Sequence, residues 1–185
     1  MNVLATPLPG VLLIEPRVLE DQRGALWECY HERRFAEIGI AHHFVQDNHS
    51  RSVPGTLRGL HYQLENPQGK LVRCVRGSIV DVAVDIRRGS PSFGKWIAVE
   101  LSENNKRELY IPPGYAHGFC APRYDSDVVY KCTQFYDAAD DHGVPWNDPL
   151  LNIAWPLQSP RLSERDARFA PLTEERDDLP VYRSP

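Results

Sequence analysis

No stretch of the chain approaches the roughly 20 consecutive apolar residues that a membrane span requires. Met1 to Gly10 has neither the positive start nor the apolar run of a signal peptide, so a cytoplasmic protein is expected. Cysteine is scarce: Cys29, Cys74, Cys120 and Cys132 form no C-x-x-C pair. They are expected as reduced thiols, some of them small hydrophobes within strands. Positive charge is not in excess either. A formal net charge of −4 excludes the broad basic face of a general nucleic-acid binder. It leaves room for a small anionic ligand, which needs only a few local Arg and Lys residues. Internal repeats and low-complexity segments are absent.

What is present points to strands. The 185 residues fit one domain spanning 1–185. Its charged end, 171–185, is expected to be a surface tail or a strap hugging a partner. Sixteen prolines and twelve glycines are spread along the chain and divide short runs rich in Val, Ile, Tyr and Leu. That punctuation predicts an all-β sandwich or barrel with a few short helices. Strands are predicted at Val11 to Glu15, Leu26 to Tyr30, Leu57 to Gln63, Leu71 to Val75 and Ser78 to Ile86. Further strands are predicted at Trp96 to Leu101, Glu108 to Ile111, Ala116 to Ala121 and Val128 to Tyr136. A short helix is predicted over His31 to Ile38, stopped by Gly39. Ser163 to Asp166 has the S-x-x-D form of another helix start.

Alternation assigns faces. Val80, Val82, Val84 and Ile86 share one face, and Ile79, Asp81, Ala83 and Asp85 the other. Two carboxylates among apolar neighbours fit a polar interior such as a barrel mouth; a solvated face is the plainer alternative. Tyr130 and Tyr136 share a face of the last long strand and can look into one cavity.

Two histidine segments carry candidate chemistry. Pro112-Pro113-Gly114-Tyr115-Ala116-His117 resembles the second motif of the cupin superfamily of small β-barrels. In metal-binding cupins the first motif is H-x-H followed by Glu. Here His61 is followed by Gln63, and the Glu positions fall on Pro67 or Gln68. His61 and His117 alone are too few for a typical metal site, so no metal is expected. A lone strand histidine is more often a hydrogen-bonded structural residue than a base. Arg58 and Lys70, on the same predicted hairpin, shift that balance. Cations beside a histidine suit an anionic substrate or an enolate, and they keep the imidazole neutral. Asp81, Asp85 and Asp166 are candidate carboxylate partners, and Tyr130 a candidate opposing acid. Strict alternation puts Arg58 and His61 on opposite faces unless Gly59 marks a bulge.

Five segments together resemble the dTDP-4-dehydrorhamnose 3,5-epimerase family. They are Asp21-Gln22-Arg23-Gly24, Gln46-Asp47-Asn48-His49-Ser50, Arg58-Gly59-Leu60-His61-Tyr62-Gln63, Ile111 to Phe119, and Trp146-Asn147-Asp148-Pro149, in that order. The resemblance runs from about Gly10 to Arg168. It implies a cupin-type jelly-roll barrel acting as a homodimer, with an N-terminal stretch crossing to the partner subunit. It implies a dTDP-4-dehydro-6-deoxy-D-glucose substrate inverted at C3 and C5, and no cofactor. By resemblance His61 is the base, Asp166 its partner, Lys70 the enolate stabiliser and Tyr130 the acid. Arg23 and Arg58 would hold the diphosphate or sugar. Glu28, Gln46 and Asn48 fit nucleoside recognition, Tyr136 fits stacking on thymine, and His117 with Asp81 fits the polar lining near the sugar. Plainer readings stand beside these: Asp166 as a helix cap, Tyr136 as core, Glu28 as a surface charge. The chain departs from the family pattern at Ala25-Leu26-Trp27, at Tyr115 and at Arg165, a substrate-binding position where lysine is usual. Alternatives are a single-site 3- or 5-epimerase of a related keto sugar, a non-catalytic sugar-nucleotide binder and a metal-dependent cupin.

Overall fold

The computed structural model describes residues 1–183. Among these residues, thirteen strands and one α-helix carry the fold. A first sheet joins β1 (Asn2–Ala5), β2 (Leu12–Glu15), β10 (Glu108–Ile111), β7 (Lys70–Arg76), β12 (Ser126–Cys132) and β5 (Gln46–Ser52), in that order. A second joins β13 (Asp141–Gly143), β6 (Thr56–Gln63), β11 (Tyr115–Ala121), β8 (Ser78–Asp85) and β9 (Trp96–Ser102). A separate hairpin pairs β3 (Val18–Asp21) with β4 (Gly24–Trp27). All the named pairings are antiparallel, as expected for an all-β jelly-roll barrel of the cupin type.

Apolar residues of the two inner faces, among them Val72, Ile79, Leu101, Leu109, Ile111 and Phe119, fill one end of the barrel. The outer faces are covered as well. Helix α1 (Glu32–Glu37) buries Phe35 against Ile14, Leu71 and Tyr110 of the first sheet. On the second sheet, Leu151, Leu172 and Leu179 close over Leu60, Val82, Val84 and Ile86. The described part of the 171–185 segment, residues 171–183, therefore lies along its own barrel, where Arg88 N donates to Pro180 O and Tyr182 N to Arg88 O. The last two positions of the chain lie outside the described residues. Among the described residues no helix is long and apolar enough to cross a membrane.

The face assignment for β8 holds. Ile79 and Ala83 join the inner core while Val82 and Val84 join the outer layer. Asp81 and Asp85 are both fully buried, which removes the solvated-face alternative. Asp85 ties down the loop after β8, accepting from Arg87, Ser90 and Ser92. The helix stopped by Gly39 is also present, with Gly39 N donating to Ala36 O.

Two strand predictions need correction, and a polar strand was not predicted. The expected Leu26 to Tyr30 strand is Gly24–Trp27. The expected Val128 to Tyr136 strand stops at Cys132. There Thr133 Oγ1 accepts from Gly69 N at 2.7 Å and the chain turns away, so Tyr136 sits on a loop rather than on the face of Tyr130. Strand β5 escaped notice because it contains no apolar residue. Its alternation is real but polar: Gln46, Asn48, Ser50 and Ser52 are less exposed than Asp47, His49 and Arg51.

Candidate active site

The other end of the barrel is open. Between β5, β12 and β7 on one side and β13, β6 and β11 on the other lies a cavity of about 690 Å³. That volume lies within the usual range for small-ligand sites. Asn48, Arg58, His61, Lys70, His117, Tyr130 and Tyr136 line it, joined by Arg165 and Asp166 from the segment after β13.

Arg58 and His61 reach the same cavity because β6 carries an extra residue. Phe119 of β11 pairs with Arg58 and His117 with His61, so two steps on β11 match three on β6. Gly59 absorbs the irregularity at φ 119°, where L side chains are strained. A Cβ on Gly59 would lie 2.6 Å from Gly118 Cα and 2.8 Å from His117 O. Two glycines face to face, in R-G-L-H and H-G-F, are thus the local reason the two strands can approach so closely.

His61 Nε2 lies 2.8 Å from Asp166 Oδ1. The carboxylate also accepts from Gly59 N at 3.2 Å. The Ser163 hydroxyl caps the Asp166 N–H at 3.1 Å, so the S-x-x-D pattern does form a turn, a short 3-10 helix over Asp166–Arg168. The Asp166 side chain is spent on His61 rather than on that cap. Burial pushes the Asp166 carboxyl up, but hydrogen bonding to His61, the imidazole charge and the Gly59 and Ser163 bonds outweigh it and hold it below its ordinary value. Burial pulls the His61 pKa down, and Lys70 and Arg165 add to this, against the opposing pull of Asp166. The result is a neutral imidazole. With Nε2–H donated to Asp166, Nδ1 keeps the lone pair. Arg165 Nη2 lies 3.0 Å from the same Nε2, and cannot donate to it in that tautomer.

Opposite His61, His117 Nε2 meets Asp81 Oδ1 at 2.7 Å. The Lys70 ammonium makes no hydrogen bond or ion pair among the described residues, and burial lowers its pKa. Tyr130 stands beside Asn48 across the β12–β5 ladder, and burial raises its pKa. The Tyr136 ring is half-exposed at the mouth, which excludes a plain core role. Its hydroxyl donates to Asp141 at 2.8 Å, and Asp141 also accepts from Arg165. Gln46 does not line the cavity. It donates to Asn48 Oδ1 at 3.0 Å and accepts from Tyr136 N at 2.9 Å, holding both from behind.

Arg23 and Glu28 are not brought to this cavity within one chain. Arg23 is bound to Asp21 on the β3–β4 hairpin, and Glu28 to Arg34. Two charged lining residues escaped the sequence reading, Asp141 and Arg161. Neither belongs to a motif quoted for chemistry. Among the described residues no cluster of three or more His, Cys, Asp or Glu side chains is placed to hold a metal ion.

A family model described as dTDP-4-dehydrorhamnose 3,5-epimerase matches residues 5–174. A Shigella flexneri protein of that name is 53% identical over 168 residues, covering 90% of this chain and 93% of its own length. The crystal structure of a Legionella pneumophila dTDP-6-deoxy-D-glucose-3,5-epimerase in complex with dTDP-4-keto-L-rhamnose superposes with a TM-score of 0.95. It is 44% identical and covers 99% of both chains. A Streptomyces niveus protein named dTDP-4-dehydrorhamnose 3-epimerase is 42% identical over 98% of this chain and 90% of its own length. This chain belongs to the dTDP-4-dehydrorhamnose 3,5-epimerase family.

Proposed function

We propose that the protein converts dTDP-4-dehydro-6-deoxy-D-glucose to dTDP-4-dehydro-L-rhamnose by inverting C3 and C5. The observation that carries this reading is the lining of one cavity by a neutral His61 bound to Asp166, an unpaired Lys70 and Tyr130. The C4 ketone acidifies the hydrogens on both neighbouring carbons. His61 Nδ1 takes one as a proton, and the electron pair moves onto O4 as an enolate. Lys70 stabilises that oxygen by charge and hydrogen bonding. Tyr130 returns a proton to the carbon from the other face of the ring. Inversion requires two groups on opposing faces, since return from the same side restores the starting configuration. Exchange with solvent then resets both side chains for the second carbon. Nothing is oxidised or reduced, so no step calls for a redox cofactor.

Arg58 serves the diphosphate, Asn48 with Gln46 the nucleoside, Tyr136 the base by stacking, and His117 the sugar. Arg165 lies beside them, tied to Asp141. The chain acts as one domain, as a homodimer in the cytoplasm. Support for the dimer comes from the β3–β4 hairpin, which carries exposed Leu19 and Leu26 alongside Arg23. A partner's cavity would give those side chains, and Glu28, a place to bind.

The test is turnover in heavy water followed by NMR of the product. Deuterium at both C3 and C5 is the expected result. Incorporation at one carbon only would replace this reading with a single-site epimerase, the activity named for the Streptomyces niveus relative. No incorporation would sink proton-transfer chemistry altogether.

A further inference from the structure

We infer that Arg161 is a substrate-anchoring residue, binding the diphosphate of the nucleotide sugar beside Arg58 from the segment that runs along the start of β6. The inference rests on the dTDP-sugar reading above. Three arginines line the cavity: Arg58, Arg161 and Arg165. Arg165 is already committed to Asp141. Arg58 is held by uncharged acceptors, with Nε to Ser52 Oγ at 3.0 Å and Nη2 to the Arg51 carbonyl at 3.1 Å. The Arg161 guanidinium has no hydrogen bond or ion pair among the described residues. Both cavity carboxylates, Asp141 and Asp166, are bound to cations or to His61. Arg58, Arg161 and Lys70 are therefore a surplus of positive charge, and Lys70 is assigned to the enolate.

The backbone of Arg161 is not loose. Its N donates to Gly55 O at 2.7 Å, its C=O accepts from Leu57 N at 3.1 Å, and it bridges Thr56 in parallel. Thr56 and Arg58 lie two residues apart on β6, so both line the cavity from one face. Arg161 runs beside them, and a Cβ on Gly55 would sit 3.8 Å from its Nε. Two arginines are thus anchored through their backbones along one rim, from two different segments. A diphosphate offers oxygens on two phosphorus atoms, a good match for two separate forks. Neither fork must break an ion pair in order to bind.

The experiment compares wild type, R161Q and R161K by calorimetry with dTDP, by ligand-observed NMR with thymidine, and by steady-state kinetics. R161Q should weaken dTDP by about tenfold. It should leave thymidine binding unchanged and raise KM with kcat near wild type. R161K should recover part of the loss, and the salt dependence of dTDP binding should become shallower in R161Q. Binding of dTDP by R161Q within about twofold of wild type overturns the inference while leaving the proposed function intact. Equal weakening of thymidine also overturns it, because the effect would then be general distortion. A wild type that binds no dTDP overturns both.

Discussion

His61 and His117 sit opposite each other on β6 and β11, and each meets an aspartate through Nε2, at 2.8 and 2.7 Å. The two aspartates arrive differently. Asp81 belongs to β8, the strand next to β11, and is fixed by the sheet itself. Asp166 comes from a short 3-10 turn far along the chain. The His61 side chain keeps 26% of its surface exposed, that of His117 only 7%. Asp166 has both oxygens engaged, whereas Asp81 Oδ2 is buried with no partner. The pair that touches solvent and has a fully satisfied carboxylate is the one suited to take up and release protons. The pair sealed in the sheet is suited to hold shape.

That contrast can be broken in order of expected effect. His61→Ala should lower kcat by at least about a thousandfold and abolish deuterium uptake at both carbons. Binding of dTDP should stay within about tenfold of wild type, which calorimetry would check. Full exchange in this variant would remove His61 from the mechanism. Asp166→Asn should cost about a hundredfold in kcat. Asp166 raises the His61 pKa, so its loss should move the acid limb of the kcat/KM profile to lower pH. Asp81→Asn should leave that limb in place. Equal shifts for both variants would erase the distinction between the pairs.

A third buried acid sharpens the same comparison. Glu108 is as buried as Asp166, yet both its oxygens lack partners, and burial pushes its pKa up to about 8. Arg73 and Lys131 pull the other way but too weakly. A raised folded pKa contributes stability that is fully present below the ordinary value of 4.5 and lost once the pH has risen through about 8. Glu108→Gln should therefore stabilise the protein at pH 9 by on the order of a few kcal/mol and matter little at pH 4. Thermal melts across that range would measure it, and an unchanged difference between the two pH values would refute the assignment. Partners, not depth, decide which way a buried carboxyl shifts.

Much of this was legible in the sequence, for identifiable reasons. Apolar alternation marked β8 and its two faces, and the glycine in R-G-L-H marked the bulge that reconciles Arg58 with His61. Where alternation was polar, as in β5, hydropathy carried no signal. Where a strand was three residues long, as in β13, no period could form. Asp141 and Arg161 were hidden because their importance comes from tertiary placement beside β6, not from their immediate neighbours. Tyr136 was assigned a face on a strand that Thr133 ends early, yet it reaches the cavity from the loop instead. Arg23 and Glu28 were named by resemblance, and a single chain gives them no route to the cavity.

The extra residue on β6 has a consequence for how this protein can vary in length. Inserting one more residue between Gly59 and Leu60, with the bulge retained, would shift the pleat by one, and every group before it on that strand would flip sides. Arg58 would then be driven into the greasy layer under Leu151 and Leu172, and the anion would lose its clamp while the imidazole stayed put. Single insertions that surface loops absorb freely are barred from this one stretch. Anyone transplanting the chemistry onto another barrel must copy the miscount between two strands before copying the histidine.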